Sequence, residues 1–503
     1  MPGTGTESIS PSSRSKRWDR RLDWVVPGGF AVYLGLHVIL RLALSPGAEL
    51  DEAEQLVLTQ GFAWVYGSQP PLYTWLQQAV FAWTGPGIPG LALLKNTLLF
   101  GTYAGIYFLA ASVSGSRRRG ALAAVMVLLI PQIVWESQRD LTHSVLVTTS
   151  CVWTLVALRW LEFRPTPTRF ALFGLVTGIG FLSKYNYALF WVALVGALLA
   201  TRHFRETLVR PTASLVPLVA LAVAAPHLWF ASRNPGLVTA DAEKFGAGAA
   251  PGLWPGVLEG WGNLVLAAVA YLGPLLLVGV VLFVATRGRP PPAEGAPWRK
   301  ILFRTAGFAL GLCALLAIFA GVTEFKDRWM QPLLFFAPVW LVLLLPGEVP
   351  SGLLRFAAGT AVVVGLTVLA LTWGRTRIAA DSRLNEPFPA LAQGIRAQGH
   401  DPSAILGADR FIAGNLRLRF PGAIVFSPET PVRKVPKTSA ILVAWKPRDD
   451  GLTAAKLRTF VERRFPAHRF PAEATTLTLP LRHSANETSS FSIGLLEPKA
   501  VHE

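Results

Sequence analysis

The stretch ELDEAEQLVLTQGFAWVYGSQPPLYTWLQ, Glu49–Gln77, follows directly on an apolar run long enough to cross a bilayer. It crowds Glu49, Asp51, Glu52 and Glu54 beside the lipid boundary and then runs into Gln69-Pro70-Pro71. No Lys or Arg lies between Arg41 and Lys95. An ionised side chain at the centre of a spanning helix costs roughly 2.5–3.5 kcal/mol. Neutralising charge is therefore expected from outside the segment, and the loops that hold a substrate are its natural source. Leu50, Ala53, Val57, Gly61 and Trp64 recur at helical spacing, with Asp51, Glu52, Gln55 and Thr59 around the other side. That pattern predicts an amphipathic helix lying in the membrane interface. The two prolines then start a second element, with Tyr73, Trp75, Phe81 and Trp83 as interfacial anchors. The plainer alternative is a solvated acidic face on a surface helix.

Composition sets the class. Of 503 residues, 52% are hydrophobic and 15% charged, against about 25% charged in soluble domains, so the chain reads as a polytopic membrane protein. The net charge of +17 fits a rim of Lys and Arg on cytoplasmic loops better than a nucleic-acid surface, and no nucleic-acid partner is expected. Cys151 and Cys313 fall inside apolar stretches without zinc or disulfide spacing. Residues 1–24 read as a disordered basic arm on the cytoplasmic side, without the apolar core of a cleaved signal.

At about 20 apolar residues per span, about eleven candidates appear: 25–45, 91–112, 120–136, 141–160, 170–183, 185–201, 212–230, 260–286, 301–321, 330–346 and 353–373. Alternate connections carry Arg14–Arg21, Arg117–Arg119, Arg164 with Arg169, Arg202–Arg210 and Arg287–Lys300. These should be cytoplasmic. The other set holds the acidic first loop, WESQRDLTH, SKYN, SRNPGLVTADAEKFG and TEFKDRW, so every unusual polar cluster falls on the outer side. The tail from about Arg375 joins them there. SAILGA, AIVFSP and SAILVAW predict buried strands, LTAAKLRTFVERRF a helix, and TTLTLPLRHS with SSFSIGLLEP a hairpin. The expected architecture is a mainly α transmembrane bundle (25–374) with a small C-terminal α/β domain (375–503). GRPPPAEGAP reads as a linker.

Within the outer loops, Asp140 sits near the membrane surface and His143 one helical turn later. Each has a plain reading, Asp140 as a helix cap and His143 as a structural histidine. Lys184 lies between two apolar stretches beside Tyr185 and Tyr187, and Lys326, Asp327 and Arg328 stand against a span. Singly these cations read as snorkelling anchors. Together they form an outer cationic pocket beside carboxylates, suited to a lipid-linked phosphate.

An Asp-Glu pair after the first span followed by Tyr66-Gly67-Ser68-Gln69-Pro70-Pro71-Leu72 resembles the first-loop signature of the glycosyltransferase family 39 superfamily. That group includes protein O-mannosyltransferases and bacterial aminoarabinose transferases acting on lipid A. GIGFLSKYN and KDRWMQPLLF are similar to its later motifs, and the likeness covers roughly residues 25–345. The resemblance implies a C-type glycosyltransferase fold, a polyprenyl-phosphate sugar donor and inversion at the anomeric carbon. It implies Asp51, Glu52 and Asp140 as catalytic residues and Lys184, Lys326 and Arg328 as phosphate contacts. Tyr66, Gln69 and His143 are the sugar or acceptor candidates. Ser68-Gln69 stands where relatives often carry a charged residue or His, so a divalent cation stays an open question. The expectation is an inverting transfer to an envelope glycolipid, lipopolysaccharide core or lipid A-like, at the periplasmic face of a bacterial inner membrane. The alternatives are protein hydroxyls as acceptor, a flippase for lipid-linked sugars, and a noncatalytic assembly partner.

Overall fold

The computed structural model describes residues 11–238, 253–285, 292–379, 382–430, 441–447 and 451–498. The first ten residues of the basic arm, the end of SRNPGLVTADAEKFG and the start of the GRPPPAEGAP linker lie outside the described residues. Five helices open the chain: α1 (Pro11–Leu44), α2 (Leu50–Leu58), α3 (Leu72–Thr84), α4 (Ile88–Ser114) and α5 (Arg117–Met126). The arm expected to be disordered is helical from Pro11 onward, continuous with the first span.

Among the described residues, seven helices are long and apolar enough to span a bilayer. They are Asp19–Leu44, Ile88–Ser114, His143–Phe163, Pro211–Arg233, Trp254–Leu282, Ala296–Phe319 and Ser351–Ile378. Two bent pairs raise the number to nine: Arg117–Leu129 with Gln132–Arg139, at 75°, and Tyr187–Ala200 with Arg202–Leu208, at 106°. The remaining apolar stretches are helical but short. Pro167–Phe181 has 15 residues, about 22 Å at 1.5 Å per residue, less than the ~30 Å hydrocarbon layer. Its Gly174 and Gly178 permit close packing, because a Cβ there would meet Val216 O at 2.7 Å and Ala220 O at 2.9 Å. Residues 330–346 divide into Gln331–Leu334 and Ala337–Leu344.

Contacts sort the connections to two ends. At one end Arg117 pairs with Asp23, Arg118 with Asp19 and His203 with Glu162, while Arg119 caps the carbonyls of Leu345 and Gly347. The other end holds α2, the turn at 140–143, the turn at 182–186 and the C-terminal domain.

That domain has a five-stranded sheet ordered β2-β1-β3-β6-β5. Its strands are β1 (Ala404–Gly407), β2 (Ile424–Phe426), β3 (Ile441–Trp445), β5 (Thr475–Leu481) and β6 (Ser484–Leu495), while β4 (His468–Arg469) pairs with β7 (Glu497–Pro498) in a second sheet. β1–β3 are parallel, and β5 and β6 form an antiparallel hairpin. The strands, the helix and the hairpin read from the tail's sequence are all present.

The first loop differs from its expected form. α2 stops at Leu58 and does not lie free in the interface. Ala53, Leu56 and Val57 join Ile412, Leu416 and Leu442 of the tail in one hydrophobic cluster. The fit against the helix Arg410–Arg417 is close enough that a Cβ on Gly414 would sit 2.2 Å from Ala53 O. Arg410 Nη1 meets Glu54 Oε1 at 2.5 Å, and Arg417 caps the C-terminal end of α2 through Leu56 O and Thr59 Oγ1. Asn415 receives the Ala48 N–H at 2.7 Å and returns a bond to Ala48 O at 3.1 Å.

Glu52 faces the opposite way and is buried. Arg41 approaches it with two nitrogens, Nη2 to Oε2 at 2.6 Å and Nε to Oε1 at 3.3 Å. Lys95 Nζ reaches Oε1 at 3.4 Å, and the Glu49 N–H donates to Oε2 at 3.0 Å in a capping box. For Glu52 the neutralising charge thus comes from the two residues that bracket the cation-free segment, whereas Glu54 takes its partner, Arg410, from the distant tail. Burial alone would raise this carboxyl; the charges of Arg41 and then Lys95 outweigh it and hold Glu52 below the ordinary carboxylate range.

Removing one member of such a buried group strands the others, at a cost of about 3–5 kcal/mol. Glu52→Gln is expected to lower the unfolding midpoint of the detergent-solubilised protein by that order. Gly414→Ala is expected to cost about 1–3 kcal/mol by overpacking and to raise hydrogen exchange in residues 49–58. Gly422→Ala, where a Cβ meets nothing within 4 Å, should leave both readouts unchanged.

Candidate active site

Three outer turns meet around the first turn of α2. The Asp51 N–H donates to Asp140 Oδ1 at 2.9 Å. In return Thr142 donates its N–H and its hydroxyl to Asp51 Oδ2, at 3.3 and 3.4 Å. Asp140 thereby caps a free amide at the N-terminus of α2, where a negative charge is favoured. The sharp break that brings it there follows from Pro131, which interrupts the span before the five-residue π-helical turn Gln132–Glu136. Asp140 Oδ2 faces Arg383 Nη1 at 3.4 Å. Burial first, and then the charge of Asp51, pushes the Asp140 carboxyl up from 3.8 to about 6. Glu49 rises to about 7 through burial, with Asp140 and Glu52 adding to it.

Asp51 itself is half-buried, and among the described residues no cation lies within ion-pair distance of it. Glu52 differs in every respect, since its oxygens are taken by Arg41, Lys95 and the Glu49 amide. The adjacent carboxylates expected to work together are separated by the helix into one that faces the site and one that faces the core.

The turn Leu182–Asn186 closes the next side. Leu72 N–H donates to Leu182 O at 3.1 Å, so the residue after Pro70-Pro71 ties the first loop to the lysine turn. Lys184 Nζ donates to Ser144 Oγ at 2.8 Å. Burial lowers the Lys184 ammonium to about 8; Asp51 opposes that shift and the cation of Arg328 adds to it. Lys184 therefore stays charged at neutral pH while sensing both residues. Arg328 is exposed, and among the described residues its guanidinium has no partner. Lys326 is turned elsewhere, 3.3 Å from Glu324 and over the ring of Trp329.

The three residues expected at the sugar or acceptor occupy different positions. His143 is buried between Gln55 Nε2 and Ser183 O, each at 3.4 Å, and clamps α2 to the lysine turn. The Tyr66 hydroxyl donates to Gly61 O and accepts from the Ala63 N–H, both at 2.8 Å, closing its own loop. Gln69 has a buried Oε1 without a hydrogen-bond partner among the described residues. Nothing in the sequence stretch itself named Arg41 and Lys95, yet a cation inside or at the end of a spanning helix is the signal that finds them.

No three carboxylate, imidazole or thiol ligands converge among the described residues.

Beyond the turns, a cavity of about 500 Å3 is bounded by Pro167–Phe181, Tyr187–Ala200 and Leu215–Arg233. Phe181, Trp191 and Leu221 line it. Tyr185 and His227 mark its polar end, with the Tyr185 hydroxyl 3.4 Å from His227 Nε2 and His227 Nδ1 donating to Trp64 O at 2.8 Å.

Residues 68–230 match the family model of dolichyl-phosphate-mannose-protein mannosyltransferases. The chain is 33% identical over 437 residues to the lipopolysaccharide core galacturonosyltransferase RgtB of Rhizobium johnstonii, covering 85% of this chain and 87% of that protein. It is 29% identical over 484 residues to RgtA of the same organism, also a lipopolysaccharide core galacturonosyltransferase, covering 92% and 95%. In three dimensions it is similar to ArnT from Cupriavidus metallidurans bound to undecaprenyl phosphate, with a TM-score of 0.62 at 12% identity over 93% of this chain and 98% of that one. The first-loop signature, the multi-pass helical architecture and the extent of these likenesses together lead to one conclusion: the chain belongs to the glycosyltransferase family 39 superfamily, as a membrane enzyme of the C-type glycosyltransferase fold.

Proposed function

We propose that this protein transfers a sugar from a polyprenyl phosphate to a hydroxyl of an envelope glycolipid, with inversion. The observation that carries the reading is an Asp51 carboxylate with no ion-pair partner among the described residues, whose charge is felt by the half-buried Lys184 together with that of the exposed Arg328. The names of RgtA and RgtB point to lipopolysaccharide core as the acceptor and galacturonate as the first sugar to test. The ligand of the ArnT structure supports the polyprenyl phosphate. Basic residues in the connections at one end support a site on the opposite, periplasmic side of a bacterial inner membrane.

In this reading Lys184 and Arg328 hold the donor phosphate by charge-assisted hydrogen bonds. Its isoprenoid chain enters the apolar cavity that begins at Tyr185. The acceptor hydroxyl attacks the anomeric carbon from the face opposite the phosphate. As the new O–C bond forms, its proton passes to Asp51 and the C–O bond to phosphate breaks. The electron pair stays on the departing polyprenyl phosphate, where the two cations stabilise it. One displacement inverts the centre, so no second nucleophilic carboxylate is needed. Asp140 orients Asp51 through its backbone amide and adds negative charge that strengthens it as a base. Glu52 positions the same helix turn from behind, and His143 does so through Gln55. Gln69, with its orphaned amide oxygen, is the group of the first loop left to meet a sugar hydroxyl.

General-base help is typically worth about 10²–10⁴-fold. Asp51→Asn is expected to reduce transfer by that order while leaving undecaprenyl phosphate binding intact, in a reconstituted assay with galacturonosyl polyprenyl phosphate and isolated core glycolipid. Retained turnover would remove Asp51 from the role. Arg328→Gln should lower kcat by about 10²–10³-fold, the effect of losing one preorganised electrostatic stabiliser.

The pH dependence follows from Asp140, which is surrounded by Asp51, Glu52, Lys95 and Arg383. Protonation below about pH 6 removes the charge that strengthens Asp51, so kcat/KM should fall on that acid side. Asp140→Asn should abolish the limb and lower the plateau. The folded state also holds this proton more tightly than the unfolded chain does. Asp140 therefore contributes a loss of stability as pH rises from about 4 to about 6, the interval in which activity climbs. A thermal-melt series across that interval, compared with Asp140→Asn, checks the sign.

A further inference from the structure

A second cavity, about 260 Å3, borders the Asp51–Asp140 joint through Arg383, which lines it and meets Asp140 Oδ2 at 3.4 Å. It lies between the outer end of α1, the bent segment 135–139 and the end of the last spanning helix. Among its described lining residues four are arginines, Arg41, Arg139, Arg375 and Arg383, and one, Glu49, is a carboxylate. Arg41 is committed to Glu52 and Arg383 to Asp140. Arg139 is exposed and, among the described residues, pairs with Glu136 alone, at 2.8 Å. Arg375 is exposed at the C-terminal end of its helix, and among the described residues its guanidinium has no partner. The half-buried indole of Trp135 adds a flat apolar wall.

This cavity does not serve the donor as read above. It is too small for an isoprenoid chain, below the ~300–1,000 Å3 of pockets that enclose drug-sized ligands. Its wall is polar, and Arg383 links it directly to the outer oxygen of Asp140. A carboxylate or phosphate held by Arg139 and Arg375 would keep its sugar ring against Trp135. A neighbouring hydroxyl would then lie on the base side of the carboxylate pair. Guanidinium forks suit either anion, because both present two oxygens in a plane.

We propose that this arginine-lined cavity is the acceptor subsite and that it selects a sugar carrying a carboxylate or phosphate beside the hydroxyl to be glycosylated. The assignment rests on the transferase reading given above. Donor and acceptor are thus held by separate sets of residues, the donor by Lys184 and Arg328 and the acceptor by Arg139 and Arg375. A glycolipid headgroup and a free anionic sugar would present the same chemistry.

The full chain in nanodiscs separates these cases through two binding titrations. One uses undecaprenyl phosphate as donor-side probe, the other lipid A bearing two keto-deoxyoctulosonate residues as acceptor-side probe. Arg139→Gln/Arg375→Gln is expected to weaken the lipid A probe at least tenfold while changing undecaprenyl phosphate affinity less than twofold. Arg139→Lys/Arg375→Lys should restore part of the loss, which a merely unfolded variant would not. Unchanged lipid A binding, or equal weakening of both probes, overturns the proposal. Displacement of the lipid A probe by free keto-deoxyoctulosonate, but not by inorganic phosphate at the same concentration, assigns the subsite to the carboxylate sugar. Displacement by phosphate assigns it to a phosphorylated one. Displacement by neither assigns it to the anionic sugar in its lipid-linked form. Lys184→Gln should show the reverse pattern. If it leaves undecaprenyl phosphate binding intact, the donor assignment fails while the acceptor subsite stands.

Discussion

The end of this protein that carries the candidate site hangs on one buried carboxylate. Glu52 is buried between Arg41 at the end of the first span and Lys95 in the second, with the Glu49 amide completing its shell. A buried charge is tolerable only when paired and hydrogen-bonded, and this one is satisfied by partners that belong to two different spans. The result is a pin that joins the two spans to α2 and sets its rotation. One residue earlier, Asp51 is turned the other way, with no cation in ion-pair distance among the described residues. A helix cannot rotate one of these side chains without the other, so the buried carboxylate dictates where Asp51 points.

The C-terminal domain acts on the same turn from above. Ala53, Leu56 and Val57 belong to its hydrophobic cluster, and Arg410, Asn415 and Arg417 take up Glu54 and the exposed backbone groups at both ends of α2. A nine-residue helix is too short to hold its shape alone in water. Here it is clamped between membrane helices below and the helix Arg410–Arg417 of the tail above. The tail is thus a structural part of the active site as well as a neighbour of it, and it contributes Arg383 directly to Asp140.

The interrupted spans serve the same end. The break at Pro131 turns the chain by 75° and delivers Asp140 and Thr142 to the first turn of α2. The short helix Pro167–Phe181 delivers Lys184 at a level where Ser144 and the charge of Asp51 meet it. Full-length spans would have carried these turns farther apart. Polar side chains from three connections can converge only because several of the helices between them stop short or bend.

Much of this was legible in the residues. The multi-pass class follows from the scarcity of charge, the two-ended sorting of loops from where Lys and Arg fall, and the tail's buried strands from short continuous apolar runs. The motif from Tyr66 to Leu72 carried the family. The number of full spans was not legible, because hydropathy registers apolar length and is blind to a bend at Pro131 or Ala200. Nor was the difference between Asp51 and Glu52. Adjacent carboxylates look alike in a string of letters; only packing shows that one is surrounded by Arg41 and Lys95 and the other faces Lys184. His143 and Tyr66 read as ligand candidates for the same reason, since a polar side chain satisfied by Ser183 or Gly61 is indistinguishable in sequence from one awaiting a substrate. The sequence by itself determined which groups had to be kept out of lipid. The tertiary structure decided which of them neutralise one another and which are left over, because pairing depends on distance, and distance between residues 41, 95, 184 and 383 exists only after folding.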